Sequence, residues 1–227
     1  MAQAPVLLSW SGGKDSAWAL HVLRHNGCAP VALLSTVTED YGRASMQGVH
    51  RSVLQAQARA AGLPLLEARI PAGCDDATYQ AAFALALDQA RHRWPDLHRV
   101  AFGDLLLADI RDWRTASCQQ LGWQAVFPLF GSDTAALARR MIEAGLRAHL
   151  CCVDTQQLDG SFAGHAFDRA LLSCLPAHID PCGEHGEFHT CVSDGPMFSH
   201  PLPVVRGDHV LRDERFLYTD FRLQADP

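Results

Sequence analysis

Six residues near the amino end, Ser11-Gly12-Gly13-Lys14-Asp15-Ser16, bring together the groups that hold a polyphosphate. Two glycines let the backbone approach an anion closely, and the first N–H groups of a helix point at it. Lys14 adds positive charge, Ser11 and Ser16 add hydroxyl donors, and Asp15 is an oxygen ligand for Mg²⁺. The spacing departs from G-x-x-x-x-G-K-[ST], so this is not a Walker A loop. The bland alternative is a polar N-cap turn. The flanks favour an anion site: Val6-Leu7-Leu8 is a short apolar run with strand character, and residues 17–23 are helical in pattern.

Three further stretches carry polar residues where a nucleotide site needs them. Ser35-Thr36-Val37-Thr38 ends an apolar run, and such a strand end lies near the nucleoside in doubly wound nucleotide folds; Ser35 is the candidate contact, with ordinary strand-end polarity as the alternative. Gly103-Asp104 follows the strand-like run 98–102 and opens a helical pattern. Asp104 is a candidate Mg²⁺ ligand or nucleotide contact, or else an N-cap, while Arg111 and Arg114 suit a phosphate site or a solvated ion-paired face equally. The densest stretch runs from Asp180 to Cys191. Carboxylates and imidazoles this crowded beside an apolar strand are costly unless paired or used. Glu184, Glu187 and His189 are candidates to bind an acceptor or guide a nucleophile. His189 is the expected general base, since an imidazole titrates near neutrality. Cys182, His185, His189 and Cys191 are zinc-ligand types, but their spacing matches no common zinc pattern.

Alternating strands and helices must position these loops. Strand character at 6–9, 30–37, 64–70, 98–102 and 124–127 alternates with helical character at 15–26, 48–61, 75–93 and 105–120, followed by a helix over 133–143 and a strand over 147–153. Such alternation predicts a parallel sheet with helices on both faces and a ligand crevice at the carboxyl ends of the strands. Beyond about residue 155 the pattern changes. A short helix over 164–174 and a Pro/Gly/His-rich loop over 175–186 lead to strands at 187–193, 202–206 and 215–223, with turn signals at Asp194-Gly195-Pro196 and Gly207-Asp208. The expected fold is α/β: a Rossmann-like doubly wound parallel sheet over 1–130 carrying the phosphate loop, and a smaller α+β domain over 131–227 for the acceptor.

The chain has 227 residues, 48% of them hydrophobic and 19% charged, which describes a globular protein with a substantial core. Its net charge of −6 weighs against nucleic acid as a partner. Residues 1–5 lack a basic and apolar leader pattern, no apolar run approaches membrane-spanning length, and the eight cysteines contain no C-x-x-C. A cytoplasmic setting with reduced thiols and no membrane contact is therefore expected.

Loop 11–16 resembles the SGGxDS loop of the ATP pyrophosphatases (PP-loop enzymes), which bind the β,γ-phosphates and cleave ATP to AMP and pyrophosphate. With Phe102-Gly103-Asp104, Asp109-Ile110-Arg111, Gly183-Glu184-His185-Gly186-Glu187-Phe188-His189-Thr190 and Asp194-Gly195-Pro196-Met197-Phe198, the chain resembles the diphthine–ammonia ligase family, in its bacterial-type branch, over nearly its full length. The resemblance implies an N-terminal adenine-nucleotide α-hydrolase (HUP-like) fold, ATP and Mg²⁺ as cofactors, and a C-terminal domain carrying the GEFHT-like loop. The family's named reaction adenylates the carboxylate of diphthine on elongation factor 2, and ammonia then displaces AMP. Met46-Gln47-Gly48 departs from the Met-His-Gly of branch members, and His50 stands nearby. Taken with the residues themselves, the resemblance makes Ser11, Gly12, Gly13, Lys14, Asp15, Ser16, Ser35, Gly103 and Asp104 the expected nucleotide contacts. Asp15 and Asp104 are expected to hold Mg²⁺, and Lys14, Asp15, Glu184, Glu187 and His189 to act in catalysis. Replacing Lys14 is expected to abolish pyrophosphate release and leave the fold intact. The expected partners are ATP, a carboxylate-bearing small molecule or protein, and ammonia; a homodimer stays open. Two alternatives remain: a PP-loop enzyme acting on tRNA or another acceptor, and a nucleotide sensor that turns over nothing.

Overall fold

The computed structural model describes residues 5–28 and 30–224; residues 1–4, on which part of the leader reading rests, lie outside the described residues. The first half alternates as β1 (Val6–Ser9), α1 (Lys14–His25), β2 (Pro30–Thr38), β3 (Arg43–Ala44), α2 (Arg51–Ala60), β4 (Leu65–Ile70), α3 (Asp76–Arg93), β5 (Arg99–Ala101), α4 (Ala108–Gln120) and β6 (Gln124–Val126). β2 pairs in parallel with β1 and β4, β1 with β5, and β5 with β6. β1 and β4 both use Leu33 and Leu34, so they flank β2 on opposite edges, which gives the order β4-β2-β1-β5-β6. The two-residue β3, which the sequence pattern does not signal, pairs antiparallel with Val37 and Thr38 beyond the end of β1. The chain thus winds outward from β1 in one direction and then returns to β5 on its other side. The loops after β1 and β5 diverge at that switch point and open the crevice where ligands bind such sheets.

Pleating divides β1 between two cores. Leu7 packs with Leu34, Leu87, Val100 and Phe102 on the face covered by α3 and α4. Val6 and Leu8 pack on the other face with α1 and α2, and that core continues without a break into Leu150, Val153 and Phe188 of the second half. The two halves therefore share one core.

The second half contains α5 (Thr134–Glu143), β7 (Arg147–Asp154), α6 (Arg169–Cys174), β8 (Phe188–Asp194), β9 (Val204–Arg212) and β10 (Phe216–Leu223). Asp133 and Asp168 cap the two helices, accepting from Ala136 N and Leu171 N. The strands form an antiparallel sheet in the order β8-β7-β10-β9. The architecture is a doubly wound α/β sheet joined to a smaller α+β unit.

Tertiary contacts move several boundaries. The helix expected from 48 starts at Arg51, because Gly48, at φ 70°, turns the chain against the Tyr218 ring, where an added Cβ would lie 2.8 Å from the ring carbons. The helix expected from 105 starts at Ala108, because the Leu105 and Leu106 N–H groups bond the Glu184 carboxylate instead. The helix expected over 164–174 shortens to Arg169–Cys174, with 164–167 running along β7 through Gly164 N to Leu150 O and Phe167 N to Ala148 O. Gly207-Asp208 makes no turn and lies inside β9; Asp213 and Glu214, both at positive φ, turn the hairpin.

Candidate active site

The crevice is a cleft of about 680 Å³, a size suited to a nucleotide with part of a second substrate. Ser11, Gly13, Lys14, Asp15 and Ser16 border it from the phosphate loop, Gly103, Asp104 and Arg114 from beyond β5, and Glu184, His185 and His189 from the C-terminal half. Two glycines decide this convergence. Gly12 sits at φ 79°, and an added Cβ would lie 2.7 Å from Leu54 and 2.9 Å from Gln57. At Gly103 an added Cβ would lie 2.9 Å from Asp15 C and Ser16 N, so the loop after β5 rests on the backbone that starts α1. Gly103→Ala is expected to push the start of α1 outward. A displacement near 1 Å at a phosphate site costs about 100-fold in kcat/KM. ATP–pyrophosphate exchange beside a thermal unfolding curve tests this: exchange should fall while the melting temperature moves little.

The C-terminal sheet holds the phosphate loop from behind. Val192 N donates to Gly12 O at 3.0 Å, and Lys14 N donates to Thr190 Oγ1 at 3.0 Å. Gln57, fully buried, accepts from Trp10 Nε1 (2.9 Å) and donates to Gly12 O (3.0 Å) and Val192 O (2.7 Å). Lys14 is 2% exposed; its amine contacts both Asp15 oxygens (3.0 and 2.9 Å) and the Cys182 carbonyl, and lies near the Phe167 and Phe188 rings. Glu184 reaches across the cleft, its Oε2 accepting from Leu105 N and Leu106 N at 3.2 Å. Asp154 closes the far wall, 1% exposed and paired with Arg215, whose Nε lies 2.9 Å from Oδ1.

Comparison with known proteins accounts for both halves. The family model for the diphthamide synthase N-terminal domain matches residues 4–125, and that for the diphthamide synthase C-terminal domain matches 133–220. The chain belongs to the diphthamide synthase family. It is similar to a diphthine–ammonia ligase of Schizosaccharomyces pombe (strain 972 / ATCC 24843), 28% identical over 206 residues, which are 83% of this chain and 34% of the relative. The chain thus spans about a third of that relative's length. Among solved structures, a predicted subunit of tRNA methyltransferase from Methanocaldococcus jannaschii superposes with a TM-score of 0.43 at 15% identity, covering 86% of this chain and 98% of the other. At that score the likeness carries no argument about substrate.

In this diphthamide synthase family member, several expected site residues take other roles. Ser35 is fully buried and donates to Trp10 O at 2.6 Å, tying β2 to β1 away from the cleft. Gly12 does not border the cleft, because its carbonyl is held by Gln57 and Val192. The Lys14 N–H is taken by Thr190, so the cradle has fewer donors than the loop sequence suggests. Glu187, 1% exposed, accepts from Asp180 N (2.9 Å) and His185 N (2.8 Å), and so folds the 180–187 loop from beneath rather than meeting a substrate. His50 pairs with Asp220 at 2.9 Å and stays out of the cleft.

The largest correction concerns the base. Burial first, and Lys14 second, hold the His189 imidazole down to about 4. His189 is a neutral group near pH 7, poorly matched to taking a proton. Glu184 moves the other way: burial and the nearby Asp15 push it up to about 7, against the pull of Lys14. A carboxyl at that value is poised for proton transfer at neutral pH. Asp15 is also raised, by burial first and by Asp104 in part, against Lys14. Lys14 ends above its ordinary value although burial opposes it, chiefly because of Asp15.

The carboxylates fit Mg²⁺ in one specific way. Asp104 Oδ2 is buried without an aligned hydrogen-bond donor; Arg114 Nε lies 2.8 Å from it as an ion contact and is itself unbonded. Asp104, with Asp15 near it, offers hard oxygens of the kind that would hold Mg²⁺ together with phosphate oxygens, Asp15 sharing its carboxylate with Lys14. Among the described residues no three His, Cys, Asp or Glu side chains gather to hold an ion by themselves, so Cys182, His185, His189 and Cys191 form no zinc set. Cys182 instead donates to Thr134 O, and burial pushes its thiol up to about 12. Cys118 and Cys151 are buried and do not border the cleft, and burial raises both thiols. Cys182 is the cysteine that borders the cleft, and its raised thiol is poorly suited to a thiolate route for sulfur transfer. No helix among the described residues is long and apolar enough to cross a membrane.

Proposed function

We propose that this chain is an ATP-dependent, amide-forming ligase that adenylates a carboxylate and passes the acyl group to ammonia. The observation that carries the reading is the placement of Glu184, with its raised carboxyl, in the same cleft as the phosphate loop and Asp104. Family membership and the diphthine–ammonia ligase relative support it. The acceptor is a carboxylate-bearing small molecule or protein, with diphthine the first to try.

In the first step an acceptor carboxylate oxygen attacks the α-phosphorus and the bond to the β-phosphate oxygen breaks, releasing pyrophosphate. Ser11 and the free N–H groups of the first turn of α1 donate to the leaving group, Ser16 braces the loop by donating to Gly13 O, and the Lys14 amine offsets the charge. Mg²⁺, held by Asp104 and Asp15, would neutralise phosphate charge further. In the second step the ammonia nitrogen attacks the acyl carbon, AMP leaves with the bonding electron pair, and Glu184 takes the proton released from nitrogen. His189 donates or accepts one hydrogen bond as a neutral ring and orients the acyl group.

Glu184→Gln tests this directly. It keeps an oxygen for Leu105 N and Leu106 N but removes the base. ATP–pyrophosphate exchange, run with a metabolite and protein pool as acceptor, should persist, while amide release falls about 100-fold. At fixed free ammonia, wild-type amide release should rise with pH through about 7 and then level, and the variant should lose that limb. Stability has the opposite sign. A carboxyl raised in the folded state contributes stability below its unfolded value and loses it as pH rises through about 7, so Glu184→Gln should melt higher than wild type at pH 8. Absence of AMP under every acceptor pool, with ATP bound, would favour the sensor alternative.

A further inference from the structure

A second cavity lies in the C-terminal half, away from the phosphate loop. On β7, Leu150 pairs with Thr190, whose hydroxyl meets the phosphate loop, while the adjacent His149 pairs with Cys191 and faces the other side of the sheet. There, a cavity of about 610 Å³ opens between the sheet and the 161–174 segment. Its floor is apolar, formed by Phe162, Leu171, Val204 and Phe221, and its polar groups include Arg206, His149, His165, Asp168 and Ser161.

Arg206, exposed on β9, has a histidine as its hydrogen-bond partner. Its Nη2 lies 2.8 Å from His209 Nε2, and His209 Nδ1 lies 3.0 Å from Thr219 Oγ1. A guanidinium only donates, so the His209 proton sits on Nδ1 and the relay runs from Arg206 to His209 to the buried Thr219. Among the described residues no carboxylate pairs with Arg206. Its guanidinium also lies against Gly164, where an added Cβ would come within 2.8 Å of Cζ and Nε. The 164–167 backbone forming that wall is pinned to β7. Asp168, the carboxylate on the rim, caps α6 through Leu171 N at 2.8 Å. An exposed guanidinium with no carboxylate partner of its own, beside two histidines and over an apolar floor, is an arrangement that receives a planar anion.

We propose that this cavity is a second small-molecule site, for a ligand with a flat apolar body and one carboxylate or phosphate group bound by Arg206. The site is separate from the ATP cleft, and the proposal does not depend on the ligase reading.

Histidine-labelled protein is titrated with benzoate, phenyl phosphate, inorganic phosphate and benzyl alcohol, following the His149 and His165 ring signals by NMR. Saturable shifts of both signals with benzoate or phenyl phosphate are expected, and which of the two binds tighter identifies the anion. Arg206→Gln should weaken binding at least about tenfold, and Ala170→Trp, at an exposed position on the rim, should block it. The shifts should persist in Lys14→Met, and ATP binding should be unaffected by either cavity variant. No saturable shift, equal binding of benzyl alcohol, inorganic phosphate binding as well as phenyl phosphate, or retention of binding in both folded cavity variants would overturn the proposal.

Discussion

Lys14→Met is expected to reduce ATP–pyrophosphate exchange by about 1000-fold, the scale on which losing one preorganised charge at a developing anion is felt. The substitution keeps a side chain of similar length between Phe167 and Phe188 but removes the only cation touching Asp15 among the described residues. Asp15 then stays buried near Asp104 without its lysine partner, which pushes its carboxyl further up. The loop sequence alone leads one to expect an intact fold, whereas the contacts of Lys14 predict a cost in stability as well. Lys14 is also the tie to the Cys182 carbonyl, so the 180–187 loop should loosen and the melting temperature fall. Exchange kinetics and a melting curve together check both halves. Exchange within tenfold of wild type would remove Lys14 from the chemistry.

Gln57→Ala is expected to be the most destabilising single change outside the cleft, by roughly 3 to 4 kcal/mol. Truncation leaves the Trp10 N–H and the Gly12 and Val192 carbonyls without their partner in a buried place and opens a cavity beside Leu54. Because those bonds join β1, the phosphate loop and β8, the loss should reach the cleft, with the apparent KM for ATP rising more than kcat falls. Urea unfolding measures the first effect and steady-state exchange the second. Gln57→Glu keeps the shape but replaces two donors with acceptors, and it should be at least as damaging as Ala. A milder Glu variant would show that packing, not the hydrogen bonds, dominates at this position.

The sequence by itself determined the alternating strands and helices of the first half, the chemistry of loop 11–16 and the concentration of polar groups over 180–191. These are local properties: the apolar period along each element, glycine where φ turns positive, and Asp133 or Asp168 ahead of a helix. Partnership was decided only when distant elements met. Ser35 and Glu187 look like site residues until Trp10 O and the Asp180 and His185 N–H groups occupy them. Gln57 sits on a helix with nothing in its neighbours to mark it, yet it joins three segments across 135 residues of sequence. The choice of Glu184 over His189 as the proposed base has the same origin. Their ordinary values favour the imidazole as base, but desolvation raises a carboxyl and lowers an imidazole; His189 is placed by β8 against the phosphate loop, and Glu184 by the 180–187 loop against the segment after β5.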